Sequence, residues 1–411
     1  MLFAYMCLYS RSPLPSEKFM NFFFSLSLGL MLATTLQQAV NAMQSIDADP
    51  KSATAMNSTM GKPSWYSLFI ADHMPKACIP LALCQLIESY VLPKWKLKVT
   101  LKINEEFYTK PETSGTINSL AHMIYKGKQI MISGSSNFNI QLWDLESGMV
   151  HTSLVGHNRG VIAVAYVHSK NMLISGSRDN SIKLWNIDGD AISKSLCIKT
   201  LTAHTDWVRS IAVSPDKASF ASGSDDTTVR LWSLPDGKLL HTFVGHTNDV
   251  RTVSWNCDGT ILVSATSGRQ VHLWDVQKKI LLGLLPCEEH IWRLTCSPIV
   301  NYVALKTNNE ELSLRDIGTG EIVRSMKSPK CKDLDHEITF SPKGTLLASI
   351  CNEGPSQRDG CVSIWDVGQG KLLAQLPGNN RYEGLHFVSE DTLIASGRVD
   401  GTVNVFSIIE N

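Results

Sequence analysis

Four residues between positions 204 and 232 have the types and the spacing that invite a chemical interpretation. His204, Ser222 and Asp226 are the three residue types of a hydrolase triad, and Trp232 follows in the same stretch. In a triad the histidine takes the serine proton while the carboxylate orients the imidazole. The same side chains can instead form a buried hydrogen-bond network that joins neighbouring strands. A catalytic set should occur once in the chain, so the rest of the sequence distinguishes the two interpretations.

The same four residue types recur in register. His157, Ser175, Asp179 and Trp185 repeat the set, with 28 residues between histidine and tryptophan in both cases. A catalytic serine also usually occupies a strained GxSxG turn, which SGSDD does not provide. The recurrence therefore favours a structural network over an active site, and we expect no catalytic residues and no enzymatic activity.

The set is incomplete in the other units, as expected for structural groups that tolerate substitution. One unit keeps His246, Ser264 and Trp274 but has Gly268 where the aspartate is expected. The remaining substitutions or isolated members are Asn137, Cys287, Asn309, Arg315, Asp359 and Asp400. P-loop, HExxH and dinucleotide-binding motifs are also missing from the sequence, so we expect no cofactor.

Seven anchors divide the second part of the chain into units of 41 to 50 residues. They are LWD (142–144), LWN (184–186), LWS (231–233), LWD (273–275), LRD (314–316), IWD (364–366) and VFS (405–407). Within one unit, four strand-like segments are separated by turn residues: VRSIAVSP (208–215), ASFASGS (218–224), TTVRLWSL (227–234) and KLLHTFV (238–244). This spacing predicts a four-stranded antiparallel meander in each unit. Because no single meander buries a core, the units must pack against one another.

These motifs resemble the WD-repeat family over residues 97–411. The Gly-His, SGSxD and LWD elements at fixed spacing carry the resemblance. It implies an all-β, seven-bladed β-propeller of four-stranded antiparallel blades, preceded by a short helical and linker region. The last unit ends in its third strand, and LKVTLKINEEF (97–107) is expected to supply the fourth and close the ring.

The resemblance also implies a non-enzymatic scaffold that binds a protein or peptide on one face of the propeller. That face carries the loop before each first strand and the turn after each second strand. The repeat register places these candidates there: Arg178, Trp207, Arg209, Asp225, Arg251, Trp292, His336 and Arg358. Clustered arginines favour an acidic or phosphorylated partner, although Asp225, Asp249 and Glu383 would neutralise part of their charge. An insertion, CNEGPSQR (351–358), is expected to project on the same face.

Residues 1–42 resemble a signal peptide. Arg11 and Lys18 precede an apolar run at 19–36, and small residues lead up to Ala42. We expect export through this segment; a retained membrane anchor, or a segment that is buried or not translated in a cytoplasmic protein, are the alternatives. Residues 43–74 have the composition of a linker.

Residues 75–96 contain a short predicted helix. In IPLALCQLIESYVLPKW (79–95), Leu83, Leu86, Ile87 and Tyr90 form one apolar stripe. This stripe either packs against the next domain or represents the first helix of an F-box, which IPLALCQLIESYV resembles. The second alternative implies a substrate-recruiting subunit of a ubiquitin ligase, with an adaptor bound through residues 79–92.

The composition narrows the remaining functional classes. Basic and acidic residues balance at 38 each, so no nucleic-acid partner is expected. The ten cysteines show neither CxxC pairs nor zinc-ligand spacing, so we expect no metal site. Most cysteines lie in apolar runs and are expected to be buried and reduced, which points to a reducing final compartment. A protein exported into another cell's cytosol would reconcile this with a signal peptide.

Overall fold

Strands are the dominant regular secondary structure in the computed structural model of the protein. The structure describes residues 94–101, 115–187, 192, 195–287, 289–308, 311–327, 337–352, 360–378, 382–397 and 403–409. The described strands lie within one compact unit, Ile87–Asn411. Among the described residues, no helix is long and apolar enough to cross a membrane. The signal-like segment 1–42, the linker 43–74 and the predicted helix at 79–92 lie outside the described residues.

The strands are numbered in chain order. The first fourteen are β1 Lys94–Leu101, β2 Ile117–Tyr125, β3 Lys128–Ser135, β4 Ile140–Asp144, β5 Val150–Leu154, β6 Val161–Val167, β7 Met172–Ser177, β8 Ile182–Asn186, β9 Leu196–Leu201, β10 Val208–Val213, β11 Ser219–Ser224, β12 Val229–Ser233, β13 Leu239–Phe243 and β14 Val250–Trp255. The others are β15 Ile261–Thr266, β16 Val271–Asp275, β17 Ile280–Leu285, β18 Ile291–Cys296, β19 Tyr302–Thr307, β20 Glu311–Asp316, β21 Ile322–Lys327, β22 Ile338–Phe340, β23 Leu346–Asn352, β24 Gly360–Asp366, β25 Lys371–Gly378, β26 Tyr382–Ser389, β27 Thr392–Gly397 and β28 Val403–Ile409. A 3-10 turn, His168–Lys170, follows β6.

The strands form seven antiparallel sheets of four strands, which confirms the seven-bladed propeller. Six sheets are consecutive meanders, such as β10-β11-β12-β13. The first strand of every blade lines a central channel, because residues from β2, β6, β10, β14, β18, β22 and β26 surround one cavity. Both faces of a blade pack against neighbouring blades, which is why central strands such as β4 and β7 are buried at every position.

The seventh sheet closes the ring with a strand from the start of the domain. β1 pairs antiparallel with β28, from Lys94 opposite Ile409 to Leu101 opposite Val403. The prediction of a closing strand is thus confirmed, but the strand begins at Lys94, three residues earlier than expected. Its pairing covers the sheet edge that an incomplete last blade would leave open.

Adjacent blades approach closely where the second strand carries a glycine. A Cβ atom at Gly176 would lie 2.7 Å from a Val208 methyl carbon, and one at Gly223 would lie 2.7 Å from a Val250 methyl carbon. The central residue of each SGS segment is glycine because the first-strand valine of the next blade packs against it and leaves no space for a side chain. This contact fixes how successive blades are stacked around the channel.

The cysteines are less uniformly buried than the sequence predicts. Cys296, Cys351 and Cys361 are buried, and the last two lie opposite each other on β23 and β24. Cys197, however, is exposed, so the expectation of burial is wrong at this position. It lies on β9, the outermost strand of the second blade, where side chains project away from the core.

Candidate functional site

The upper face of the propeller is defined here by the loop before each first strand and the turn after each second strand. Backbone hydrogen bonds join these segments: Arg178 N donates to Gly160 O, Asp225 N to Trp207 O, and Ser267 N to Asp249 O. The bonds recur from blade to blade. They bring the two rows of predicted residues together, and both rows face the upper end of the channel.

In the third blade the histidine, serine, aspartate and tryptophan form one continuous chain of hydrogen bonds. His204 Nδ1 lies 2.7 Å from Asp226 Oδ2, and His204 Nε2 lies 2.7 Å from Ser222 Oγ. Trp232 Nε1 donates to the same Ser222 oxygen at 2.9 Å. Since the carboxylate only accepts, Nδ1 is the donating nitrogen, and Nε2 accepts from the serine hydroxyl. The chain joins the loop before β10 to β11 and β12.

Asp226 is the most highly connected member of this network. Besides His204, it accepts from the backbone nitrogens of Thr205 at 3.1 Å and Thr228 at 3.0 Å, and from Thr228 Oγ1 at 2.6 Å. Burial alone would raise the pKa of Asp226, but the bonds from His204 and Thr228 lower it well below its usual range. Burial lowers the pKa of His204 more than Asp226 raises it, so this imidazole is neutral at neutral pH.

The second blade repeats the arrangement. His157 lies 2.8 Å from Asp179 and 2.7 Å from Ser175, and Trp185 donates to Ser175 at 2.9 Å. The serines of both blades are fully buried. A substrate carbonyl would have to enter the blade interior to reach either hydroxyl, so this geometry suits a structural network better than a nucleophile.

The fourth blade shows what happens when the aspartate is replaced. His246 still lies 2.7 Å from Ser264, and Trp274 donates to Ser264 at 2.7 Å, but Gly268 offers no carboxylate. His246 Nδ1 is buried without a hydrogen-bond partner among the described residues. The ring packs instead against His272, with centroids 3.8 Å apart. Burial, followed by the neighbouring His272, lowers the pKa of His246 to about 3.

On the upper face, two arginines contact one aromatic ring; Arg178, Trp207, Arg209 and Asp225 are called the rim cluster below. The guanidinium carbons of Arg178 and Arg209 lie 4.9 Å and 4.6 Å from the Trp207 ring centroid. Arg209 is held by Asp225, with Nε 2.8 Å from Oδ1 and a terminal nitrogen 2.7 Å from Oδ2. Arg178 belongs to the second blade and Trp207 to the third, so the cluster bridges two blades.

The cations of the upper channel are largely neutralised by neighbouring acids. Arg251 lies 3.6 Å from Asp249, and Arg293 lies 3.4 Å from Glu337. With the Arg209–Asp225 pair, three of the four arginines therefore have an acidic partner.

Arg178 is the exception, since it forms no ion pair within the described part of the chain. Its Nε atom is buried there without a hydrogen-bond partner. Burial lowers the pKa of Arg178, nearby Arg209 lowers it further, and Glu383 opposes both.

The predicted partner-binding residues have different positions. Arg178, Arg209 and Arg251 line the central cavity of about 440 Å³, whereas Trp292 is half-buried and its indole nitrogen has no partner among the described residues. His336 and Arg358 lie outside the described residues, as does most of the 351–358 insertion.

Arg293 and Glu337 also line the cavity, and sequence reasoning missed both. They occupy the register position of Ser210, one residue further along the first strand than the row of predicted residues. The repeat register at this next position is the sequence signal that identifies them.

Three histidines from adjacent blades, called the channel histidines below, lie together, and one of them, His386, lines the central cavity. His122 Nδ1 is 2.8 Å from His386 Nε2, and the His122 and His168 ring centroids are 5.3 Å apart. Burial and the neighbouring histidines lower the pKa of His122 to about 4 and that of His386 to about 3. Within the described ranges, no group of three potential ligands has the arrangement of a metal site.

Comparison with known families identifies part of this repeat pattern. Three stretches, 148–186, 195–233 and 237–275, match the WD domain, G-beta repeat family. No curated protein matches the chain. The matched stretches include the two complete networks and the rim cluster. The chain thus contains WD40 repeats, and the structure continues them as a seven-bladed ring, an architecture that fits a protein-interaction scaffold.

Proposed function

We propose that this propeller is a non-enzymatic scaffold whose rim cluster binds an acidic or phosphorylated segment of a protein partner. The observation that carries the proposal is the stack of Arg178 on Trp207. A carboxylate or phosphate could accept hydrogen bonds from this arginine, and the indole would provide apolar contact area. Arginine and tryptophan are the residue types that most often dominate binding energy at protein interfaces.

The ion pairs of the other arginines favour a small, well-defined binding contact and not a broad, electrostatically attractive surface. Asp225 fixes Arg209 in place, so its guanidinium supports the Trp207 ring without losing conformational entropy on binding. Since the remaining arginines are paired, long-range attraction for a polyanion is weak. This local balance agrees with the equal numbers of basic and acidic residues in the chain.

Reversing the charge of Arg178 tests the proposal. We expect Arg178→Glu to weaken binding of acidic or phosphorylated peptides at least tenfold. The anionic group of the peptide would then face the carboxylate of the substituted side chain instead of a guanidinium. Peptides selected from a random library, each in phosphorylated, acidic and neutral forms, would be titrated by fluorescence anisotropy. Arg269→Glu is the matched control: Arg269 is exposed in the same set of turns but does not line the cavity.

The two variants should differ in peptide affinity, with Arg178→Glu weakened and Arg269→Glu close to the unaltered protein. Equal affinity of Arg178→Glu and the unaltered protein for every selected peptide would contradict it, provided that both melt at the same temperature. Equal weakening by Arg269→Glu would show that only the overall charge matters.

A role as a substrate-recruiting subunit of a ubiquitin ligase is a second proposal, and it rests on the sequence IPLALCQLIESYV (79–91). If this segment acts as an F-box helix, the full chain should capture a purified Skp-type adaptor. Replacing Leu83 and Ile87 by aspartate should abolish the capture, because both belong to the apolar stripe. Failure of the unaltered chain to bind any Skp-type adaptor would reject this role and leave the scaffold proposal intact.

A further inference from the structure

The outermost strand of the fourth blade, β17, has an unusual composition. Its sequence is ILLGLL, whereas each of the other outer strands contains at least one polar or charged residue. The side chains of β17 are also accessible: Ile280 is 50%, Leu281 43%, Leu282 47% and Leu284 55% exposed. Four adjacent large apolar side chains at this exposure are costly for a strand that remains in water.

Among the described residues, the backbone of β17 has a partner strand on one side only. In the sheet order β14-β15-β16-β17 it pairs with β16 and forms the edge of the sheet. Natural sheet edges are usually protected by charged residues, proline or short length. β17 has six residues with neither a charge nor a proline among them. The segment that pairs with its free edge should therefore be another extended, apolar strand.

The charges that flank β17 indicate which strand this is. The sequence KKILLGLLPCEE (278–289) places two lysines before the apolar run and two glutamates after it. Lys278 and Lys279 are exposed, and Glu289 is partly exposed. If two copies of this segment pair antiparallel, the basic end of each lies beside the acidic end of the other. Parallel pairing would bring like charges together.

We propose that β17 is a homodimer interface, in which it pairs antiparallel with β17 of a second copy around a two-fold axis. Such a contact is self-complementary in backbone hydrogen bonds, apolar surface and charge. Leu240 of the neighbouring blade extends the interface, because Lys279 Nζ reaches its carbonyl oxygen at 3.5 Å and Leu240 is itself 39% exposed. The dimer would leave the upper face of both propellers accessible, because β17 lies at the outer edge.

The first test places a charge in the centre of the interface. We expect the full-length protein to dimerise in analytical ultracentrifugation, and Leu284→Lys to raise the dimer dissociation constant at least tenfold. Ile322→Lys is the matched control, since Ile322 lies on the outer strand of the next blade at 56% exposure. It should dimerise like the unaltered protein.

The second test uses charge reversal to separate specific pairing from general stickiness. The variants Lys278→Glu/Lys279→Glu and Glu288→Lys/Glu289→Lys should each dimerise several-fold more weakly, because like charges would meet at both ends. An equimolar mixture of the two should form a heterodimer with affinity close to that of the unaltered protein. Circular dichroism melting would establish that each variant is folded.

The possible outcomes decide the proposal in either direction. Heterodimer rescue together with an unaffected Ile322→Lys control supports antiparallel self-pairing. A monomeric full-length protein at high micromolar concentration would overturn it. So would equal weakening by Leu284→Lys and Ile322→Lys, or a mixture of the charge variants that dimerises no better than its components.

Discussion

Replacing Asp226 by alanine is expected to lower the free energy of unfolding by about 2–4 kcal/mol. The substitution removes the acceptor of His204 and of the Thr205 and Thr228 backbone nitrogens. His204 would keep its bond to Ser222, but its buried Nδ1–H would retain only a long contact of 3.4 Å to Thr228 Oγ1. A buried donor that loses its acceptor costs about 1–3 kcal/mol. For a domain of this size the melting temperature should fall by about 3–6 °C, measured by differential scanning calorimetry.

Two further substitutions serve as controls for this prediction. Asp236→Ala removes an exposed carboxylate from the same blade and should change the melting temperature by less than about 1 °C. Gly268→Asp adds a carboxylate to the fourth blade, where His246 Nδ1 has no partner among the described residues. It should raise stability, provided that Thr266 Oγ1, 3.3 Å from the new Cβ position, rotates aside. A hydrolytic activity that Asp226→Ala abolishes without any loss of stability would contradict the structural interpretation.

Acidification is expected to destabilise the propeller well before its carboxylates are protonated. Burial and neighbouring histidines hold the pKa of His122 at about 4 and that of His386 at about 3, compared with about 6.5 in an unfolded chain. Burial and His272 likewise hold the pKa of His246 at about 3. His168 faces His122, and Lys217 in turn lies near His168, so a proton on His122 or His386 enters an already basic region.

The sign of the effect follows from which state binds protons first. Between pH 6.5 and about pH 3–4 these histidines are protonated in the unfolded chain but neutral in the folded protein. Stability is therefore greatest above pH 6.5 and decreases as the pH falls to about 3–4. After allowance for partial exposure, each of these histidines should lower the free energy of unfolding at pH 4 by on the order of 2 kcal/mol. Asp179 and Asp226, whose pKa values are lowered, add a further loss below about pH 4.

Urea unfolding between pH 7.5 and pH 4 measures this dependence directly. His122→Gln should flatten the curve, because it removes one titrating group from the channel and the repulsion that this group exerts on His386. His290→Gln is a suitable control because His290 is exposed on a loop. A stability that is constant from pH 7 to pH 4.5, or an equal flattening by both substitutions, would show that the channel histidines do not control the acid response.

The sequence predicted the propeller because its signal is repeated and local. Anchors such as LWD and the turn residues between strands recur at regular spacing, and in six of the seven sheets each strand pairs only with strands next to it in the chain. The closing strand β1 could also be predicted, since a three-stranded last unit requires a partner. Its start was misplaced because Lys94, Trp95 and Lys96 were assigned to the end of the predicted helical segment 75–96, whereas the structure places them in β1.

The details of the rim and the channel depended on contacts between blades and were harder to predict. The row register placed Arg178 and Arg209 on the upper face, but it could not predict that both guanidinium groups contact the Trp207 ring. That contact depends on how far each long side chain extends. The His122–His386 pair joins residues at opposite ends of the domain sequence, and it becomes visible only when the ring is closed.

Mapping a bound peptide on the protein tests the central claim most directly. Peptides selected from a random library would be added to the full-length protein, and amide hydrogen exchange would be compared with and without peptide. We predict slower exchange in the loop and strand at 205–210 and in the turn at Asp225, together with loss of this protection in Arg178→Glu. Protection confined to the outer strands or the lower face, unchanged by Arg178→Glu, would contradict the assignment of the rim cluster as the binding site.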